Sequence, residues 1–399
     1  QIREIGLDGN YKQSRMIGDN LYWISSKSIY YDTKMRDEDI LPIVEDTASS
    51  EATKKIECTD IAYLEGTESY NYMIVAGFNV YQDKELNTET FFGASDTIYA
   101  SEKNLYITQR IDRDSYFSND TKNIIYKFKM VDSQVQLKGK GEIKGYLNNQ
   151  FSMDEYEGNL RIATTSNDGE ETSNQLYVLD ENLKEIGKIE NLAKEEKIYS
   201  VRFMGKVGYM VTFKQIDPLF VIDLSDPTNP VIKGELKIPG YSSYLHPYDE
   251  THIIGIGYNT KTNSYGGITN SSMKMSMFDV SDLQNPKEMF HVDIGEESVS
   301  SEITRNHKAL FYHKDKNLIG FPLTYRETDA KSRKNVLAMY KIDLNKGFEK
   351  YGEIEKNANY KTNIKRAIYI GETLYTLSDT EVVSYDLNTV EKIEELELD

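Results

Sequence analysis

His246 precedes Pro247 and stands three residues before Asp249, a spacing that could set an imidazole beside a carboxylate for acid–base work. The commoner role for such a residue is a turn histidine bonded to backbone. The other histidines are His252, His291, His307 and His313, and none completes a His-x-x-x-His or His-Glu-x-x-His pattern. A helix-borne zinc site is therefore excluded. His307 and His313 lie six apart in a polar turn, which favours a solvated turn over a metal pair. Cys58 is the single cysteine and has no histidine near it in sequence, so it makes a poor nucleophile. It also excludes an internal disulfide framework and any Cys-rich zinc site. There is no Gly-x-Ser-x-Gly elbow, no Walker loop and no Gly-x-Gly-x-x-Gly; Gly255-Ile256-Gly257 falls inside a strand and lacks the helix that a phosphate cradle needs.

Oxygen ligands are more plentiful. Asp112, Asp114 and Asp120 alternate with other residues in what reads as a long inter-strand loop, and Asn167 to Glu171 forms a second acidic run. Calcium wants six to eight hard oxygens, and neither run has EF-hand spacing. A solvated loop is the expected state of each. No cofactor is expected, calcium being the one ion these runs could hold. With 65 acidic residues present, paired carboxylates for glycoside cleavage could come from distant parts of the chain, and their mere number discriminates nothing.

The elements that must position these groups are legible as a repeat. A polar turn followed by a short apolar strand recurs with strand starts at Leu21, Leu105, Leu160, Gly208, Ile253, Leu318 and Leu374. Asn, Asp and Gly in the turns supply the positive φ that a two-residue hairpin requires. A second element follows each turn: a strand ending in aspartate, at Asp180, Asp223, Asp279, Asp343 and Asp386. That aspartate is expected to accept hydrogen bonds from the next N–H groups and start the following turn. Outer strands such as 141–144, 234–238 and 391–398 alternate Lys and Glu with apolar residues, which protects an exposed edge from pairing. The Tyr and Phe load (30 and 14 residues) suits pleated, half-buried strands. The one helical turn suggested lies near Asn191 to Glu196.

Repeats of this length that cannot bury a face alone must stack, and radial stacking is the usual solution. The fold class is therefore all-β: a β-propeller of about seven four-stranded blades, with eight, one of them incomplete at the N-terminus, as the alternative. A single domain spans 1–399, with blades near 11–93, 94–146, 147–197, 198–239, 240–295, 296–356 and 357–399. Residues 1–10 read as a closing strand or, preferably, the remnant of an upstream blade.

Particular runs then resemble a known family. Val201 to Gly205, Tyr209 to Phe213, Gln215 to Pro227, Gly234 to Gly240 and Tyr244 to Asp249 are similar to the core of secreted bacterial proteins containing a C-terminal β-propeller domain. Arg15 to Gly18, Cys58 to Ile61 and Lys316 to Pro322 fit as well. The resemblance covers essentially the whole chain. It implies distant kinship with WD-repeat propellers, an export signal on the natural protein and a secreted or cell-envelope location. It implies no catalytic residues.

The net charge of −18 repels phosphate backbones and argues against nucleic acid. No run of 18 apolar residues is present to form a transmembrane helix. The expected function is a non-catalytic scaffold that contacts a protein or glycan of the cell envelope through its loops. The largest insertions, 26–57, 112–123, 259–272 and 325–335, carry Tyr30, Tyr31, Tyr265 and Tyr325 as contact candidates. His246 and Asp249 complete the candidate ligand-binding set. The alternative is a hydrolase acting on envelope polysaccharide or a lactone, with acids or His246 near a central channel.

Overall fold

The computed structural model describes residues 3–30, 36, 40–64, 67, 69–82, 84–93, 97–115, 118–168, 171–214, 217–262, 267–295, 299–326 and 333–398. Side chains of residues 112–120, 168 and 217 lie outside that description. Two compact units divide the chain: residues 1–195 with 226–230, and residues 196–225 with 231–399.

The first unit holds three four-stranded antiparallel meanders and one small sheet. The first blade runs Asn10–Ile17, Asn20–Ser28, Asn71–Asn79 and Asn87–Phe92, with Ile61–Tyr63 added in parallel outside the fourth strand. The second runs Ile98–Ala100, Asn104–Ser115, Ser118–Val131 and Gln134–Lys144. The third runs Met153–Tyr156, Asn159–Asp168, Glu171–Leu179 and Glu185–Leu192. In the small sheet, the N-terminal strand Ile5–Leu7 pairs with Ile43–Asp46, which in turn pairs with Thr53–Lys55. The first insertion therefore folds back onto the N-terminal strand.

The second unit holds four further meanders. Their first strands are Lys197–Met204, Tyr241–Pro247, Phe311–His313 and Arg366–Ile370. Their fourth strands are Val231–Ile238, Lys287–Ile294, Gly347–Asn357 and Lys392–Glu397. Six four-stranded blades, a first blade widened to five strands by Ile61–Tyr63, and a three-stranded sheet make up the described structure. Among the described residues no helix is long and apolar enough to cross a membrane.

Second and third strands are the apolar ones and are buried on both faces, because blades stack face to face. Tyr106, Ile125, Leu160, Ile162 and Tyr177 form one such core between the second and third blades. Tyr209, Val221, Leu245, Ile253 and Phe278 form another between the fourth and fifth. Glycines in the fourth strands let the next turn dock. A Cβ on Gly141 would lie 2.9 Å from Leu183 Cβ, and one on Gly234 would lie 2.3 Å from the Leu283 carbonyl oxygen.

Two expectations are corrected. Asp112 to Asp120 is not a loop: the second-blade hairpin stays paired from Asn104↔Lys129 to Ser115↔Ser118. Alternating polar residues without Pro or Gly extend the ladder instead of breaking it. Likewise Asn191 to Glu196 is not helical, since Asn191, Ala193 and Glu195 take positive φ at the end of a strand.

Candidate functional site

A cleft of about 590 Å³ in the first unit is built by the ends of three successive first strands and the turns that follow them. Arg15 to Ile17 supply one wall, Tyr99 to Lys103 the second, and Glu155, Glu157 and Gly158 the third. Glu155 ties the last two walls together. Its carboxylate accepts from Ser101 Oγ at 2.8 Å, from Asn104 Nδ2 at 3.0 Å and from Tyr106 Oη at 2.9 Å. Its own N–H donates to Tyr99 Oη at 3.0 Å. Burial raises the hydroxyl pKa of Tyr106, so this hydroxyl remains a donor, and Tyr99 is pushed up to about 12 for the same reason. A carboxylate held by three donors acts as a clamp between the two walls.

The second unit has a smaller cleft of about 290 Å³ at the end of its blades where chain enters the sixth and seventh meanders. Asn335 fixes its floor. Its amide donates to the Leu323 carbonyl at 3.2 Å and Thr324 Oγ1 at 3.1 Å, and accepts from the Ile364 N–H at 2.7 Å. Buried asparagines recur at this place: Asn123 donates to the Gly145 carbonyl and Asn174 to the Leu192 carbonyl. Each of these three stands just before the apolar run of its third strand, a signal present in the sequence.

The candidates from sequence distribute unevenly. Tyr30 is exposed in the first unit. Tyr31 and Tyr265 lie outside the described residues, as do the side chains of Asp112, Asp114 and Asp120. The backbone pairs Asp112 with Thr121 and Asp120 with Arg113. No group of three metal-ligating side chains occurs among the described residues. Tyr325 is half-buried, opposite Lys334 near the second-to-third-strand end of the sixth blade. His246 and Asp249 sit at the other end of the fifth blade, so Tyr325 does not join them.

Nor do His246 and Asp249 join each other. Asp249 accepts from His252 Nδ1 at 2.9 Å and from the Thr251 N–H at 2.8 Å, closing its own turn. Burial works against its charge, but these bonds hold the carboxyl below its ordinary value. His246 instead places Nδ1 3.3 Å from Tyr244 Oη and packs edge-on against Tyr312 at 4.5 Å. Arg202 donates to the Leu245 carbonyl at 2.7 Å and lies over the Tyr244 ring. Burial, with the Arg202 charge, lowers the imidazole to about 4. His246 Nε2 and Tyr312 Oη are both buried and have no hydrogen-bond partner among the described residues. The ring is a neutral packing element, closed off from any cleft described.

Residues 1–390 match the family described as Beta propeller domain. The chain belongs to that family. The propeller is 40% identical over 277 residues to an uncharacterised protein of Archaeoglobus fulgidus, across 69% of the chain and 39% of that protein. It is also 40% identical over 263 residues to an uncharacterised protein of Methanocaldococcus jannaschii, across 65% of the chain and 38% of that protein. The chain thus spans about two fifths of the length of these archaeal relatives. Among solved structures it is similar to a periplasmic gluconolactonase of Pseudomonas aeruginosa, with 12% identity and a TM-score of 0.48, over 84% of this chain and 94% of that one. That likeness is too distant to place a residue.

Proposed function

We propose that this propeller is a non-catalytic binding scaffold of the cell envelope that holds a polar partner, a glycan or a protein segment, in the cleft between its first three blades. The observation that supports the reading is the state of Glu155. The one carboxylate set deep in that cleft is consumed by Ser101, Asn104 and Tyr106, so the wall is rigid and preformed. Rigid polar walls suit recognition, because little freedom is lost when a ligand docks. Arg15 and Lys103, with Glu102 and Glu157, offer both charges at the rim.

The test is saturation binding of the full chain to arrayed envelope oligosaccharides and peptides, with calcium and with chelator, alongside an assay for released reducing ends. Saturable binding that falls about tenfold in an R15E/K103E double variant, with no product released, is the expected result. Turnover abolished by Glu102→Gln or Glu157→Gln would replace this reading with a hydrolase.

A further inference from the structure

The cleft of the second unit has a different chemistry. It is smaller, at about 290 Å³, the low end of the range for small-molecule sites. Such a volume takes one compact ligand, not an extended chain. Its polar wall carries the hydroxyls of Ser300 and Thr324 and the amide of Asn363. Asn363 Oδ1 accepts from the Asn359 N–H at 2.9 Å, and Ser300 Oγ makes a long bond of 3.4 Å to the Thr324 carbonyl, which leaves the Asn363 NH2 as a free donor among the described residues. The floor is locked by Asn335, as described above, and by Ser301, whose hydroxyl donates to the Pro322 carbonyl. Tyr360 stands at the rim with 75% of its surface exposed, the most exposed aromatic ring of this unit among the described residues. Lys361 Nζ lies 5.9 Å from the centre of that ring.

The charges are equally specific. Two cations and one carboxylate line the cleft: Arg305, Lys365 and Glu302. Lys365 is tethered, with Nζ 2.6 Å from both oxygens of Asp379. Arg305 is exposed and makes no ion pair among the described residues. In a chain with 65 acidic residues against 47 basic ones, a guanidinium left unpaired at the mouth of a polar cleft is chemically available. A guanidinium presents a planar fork that matches a carboxylate or sulfate with two parallel hydrogen bonds. An exposed tyrosine offers an apolar face to ring C–H groups and a hydroxyl for hydrogen bonding.

We infer that this cleft is a subsite for a single acidic sugar residue, in which Arg305 pairs with the sugar's carboxylate or sulfate, Tyr360 covers its ring, and Ser300, Thr324 and Asn363 bind its hydroxyls. The inference rests on the binding reading above and gives it a ligand class at a second place.

The test titrates the full chain with glucuronate, with glucose and with inorganic sulfate, each by ligand-observed NMR and calorimetry. Glucuronate is expected to bind at least tenfold more tightly than either control. Arg305→Ala should abolish that preference, Arg305→Lys should keep only part of it, and Tyr360→Ala should weaken glucuronate at least fivefold. Both residues are exposed, so Tm should not move in any of these variants. Equal binding of glucose, or of sulfate alone, would overturn the acidic-sugar assignment. Glucuronate binding unchanged in Arg305→Ala would overturn the site. Binding lost instead in R15E/K103E would also overturn it, while leaving the scaffold reading intact.

Discussion

At the scale of single residues, His246 shows how burial decides whether an imidazole does chemistry. Packed between Tyr244 and Tyr312, near the Arg202 guanidinium, it is neutral in the folded chain down to a pH of about 4. The unfolded imidazole titrates near its ordinary value of about 6.5. Its folded value is depressed, so its contribution to stability is complete above about pH 6.5 and is lost as pH falls towards 4. A loss of about 3 kcal/mol over that window is the order of magnitude the two values imply. Denaturant unfolding of the parent should show this slope, and His246→Gln should flatten it. Glu155 makes the complementary point. Glu155→Ala would leave the Tyr106 hydroxyl and the half-buried Asn104 amide without this acceptor, at a cost of about 2 kcal/mol, read as a lower denaturant midpoint.

At the scale of elements, the fourth strands and the turns before them carry the repeat. Asp180, Asp223, Asp279, Asp343 and Asp386 each accept N–H groups of the turn that follows. Ser281, through hydroxyl and N–H, holds the Asp279 carboxyl at about 2. Asp279→Ala should cost about 1 kcal/mol, measured by thermal unfolding. Docking of turns onto glycine is the larger effect. Gly234→Val would drive a side chain into the Leu283 backbone and should cost several kcal/mol, or prevent folding of the unit. Gly139→Ala is the control, for nothing lies within 4 Å of its Cβ, and its midpoint should stay within roughly 0.5 kcal/mol of the parent. The turn aspartates were legible in the sequence because they act on the next few residues. The docking glycines were not, because their partners lie some fifty residues onward.

At the scale of the whole molecule, charge is the property that sums. A net charge of −18 means self-repulsion that salt screens, so Tm at pH 8 should rise between about 10 and 150 mM salt. Acid should act in two stages. Charging of His246 comes first, as set out above. Protonation of the turn aspartates follows: their folded values lie below the ordinary 3.8, so their contribution is present above that value and is lost as pH falls towards 2. Far-UV dichroism against pH, for the parent and His246→Gln, separates the stages, since only the upper one should change.

The sequence by itself determined the strands, their hairpins, the aspartate turns and a repeat of four-stranded units, all of which follow from periodicity and turn chemistry within a few dozen residues. Tertiary structure alone decided which polar groups meet. Asp249 faces His252, not His246, because it lies in the turn that closes on His252, whereas His246 still belongs to the strand before that turn. Arg305 and Tyr360 share a cleft only because the connections into successive blades lie side by side. Stacking fixes such distances, and stacking is set by side chains far apart in the chain.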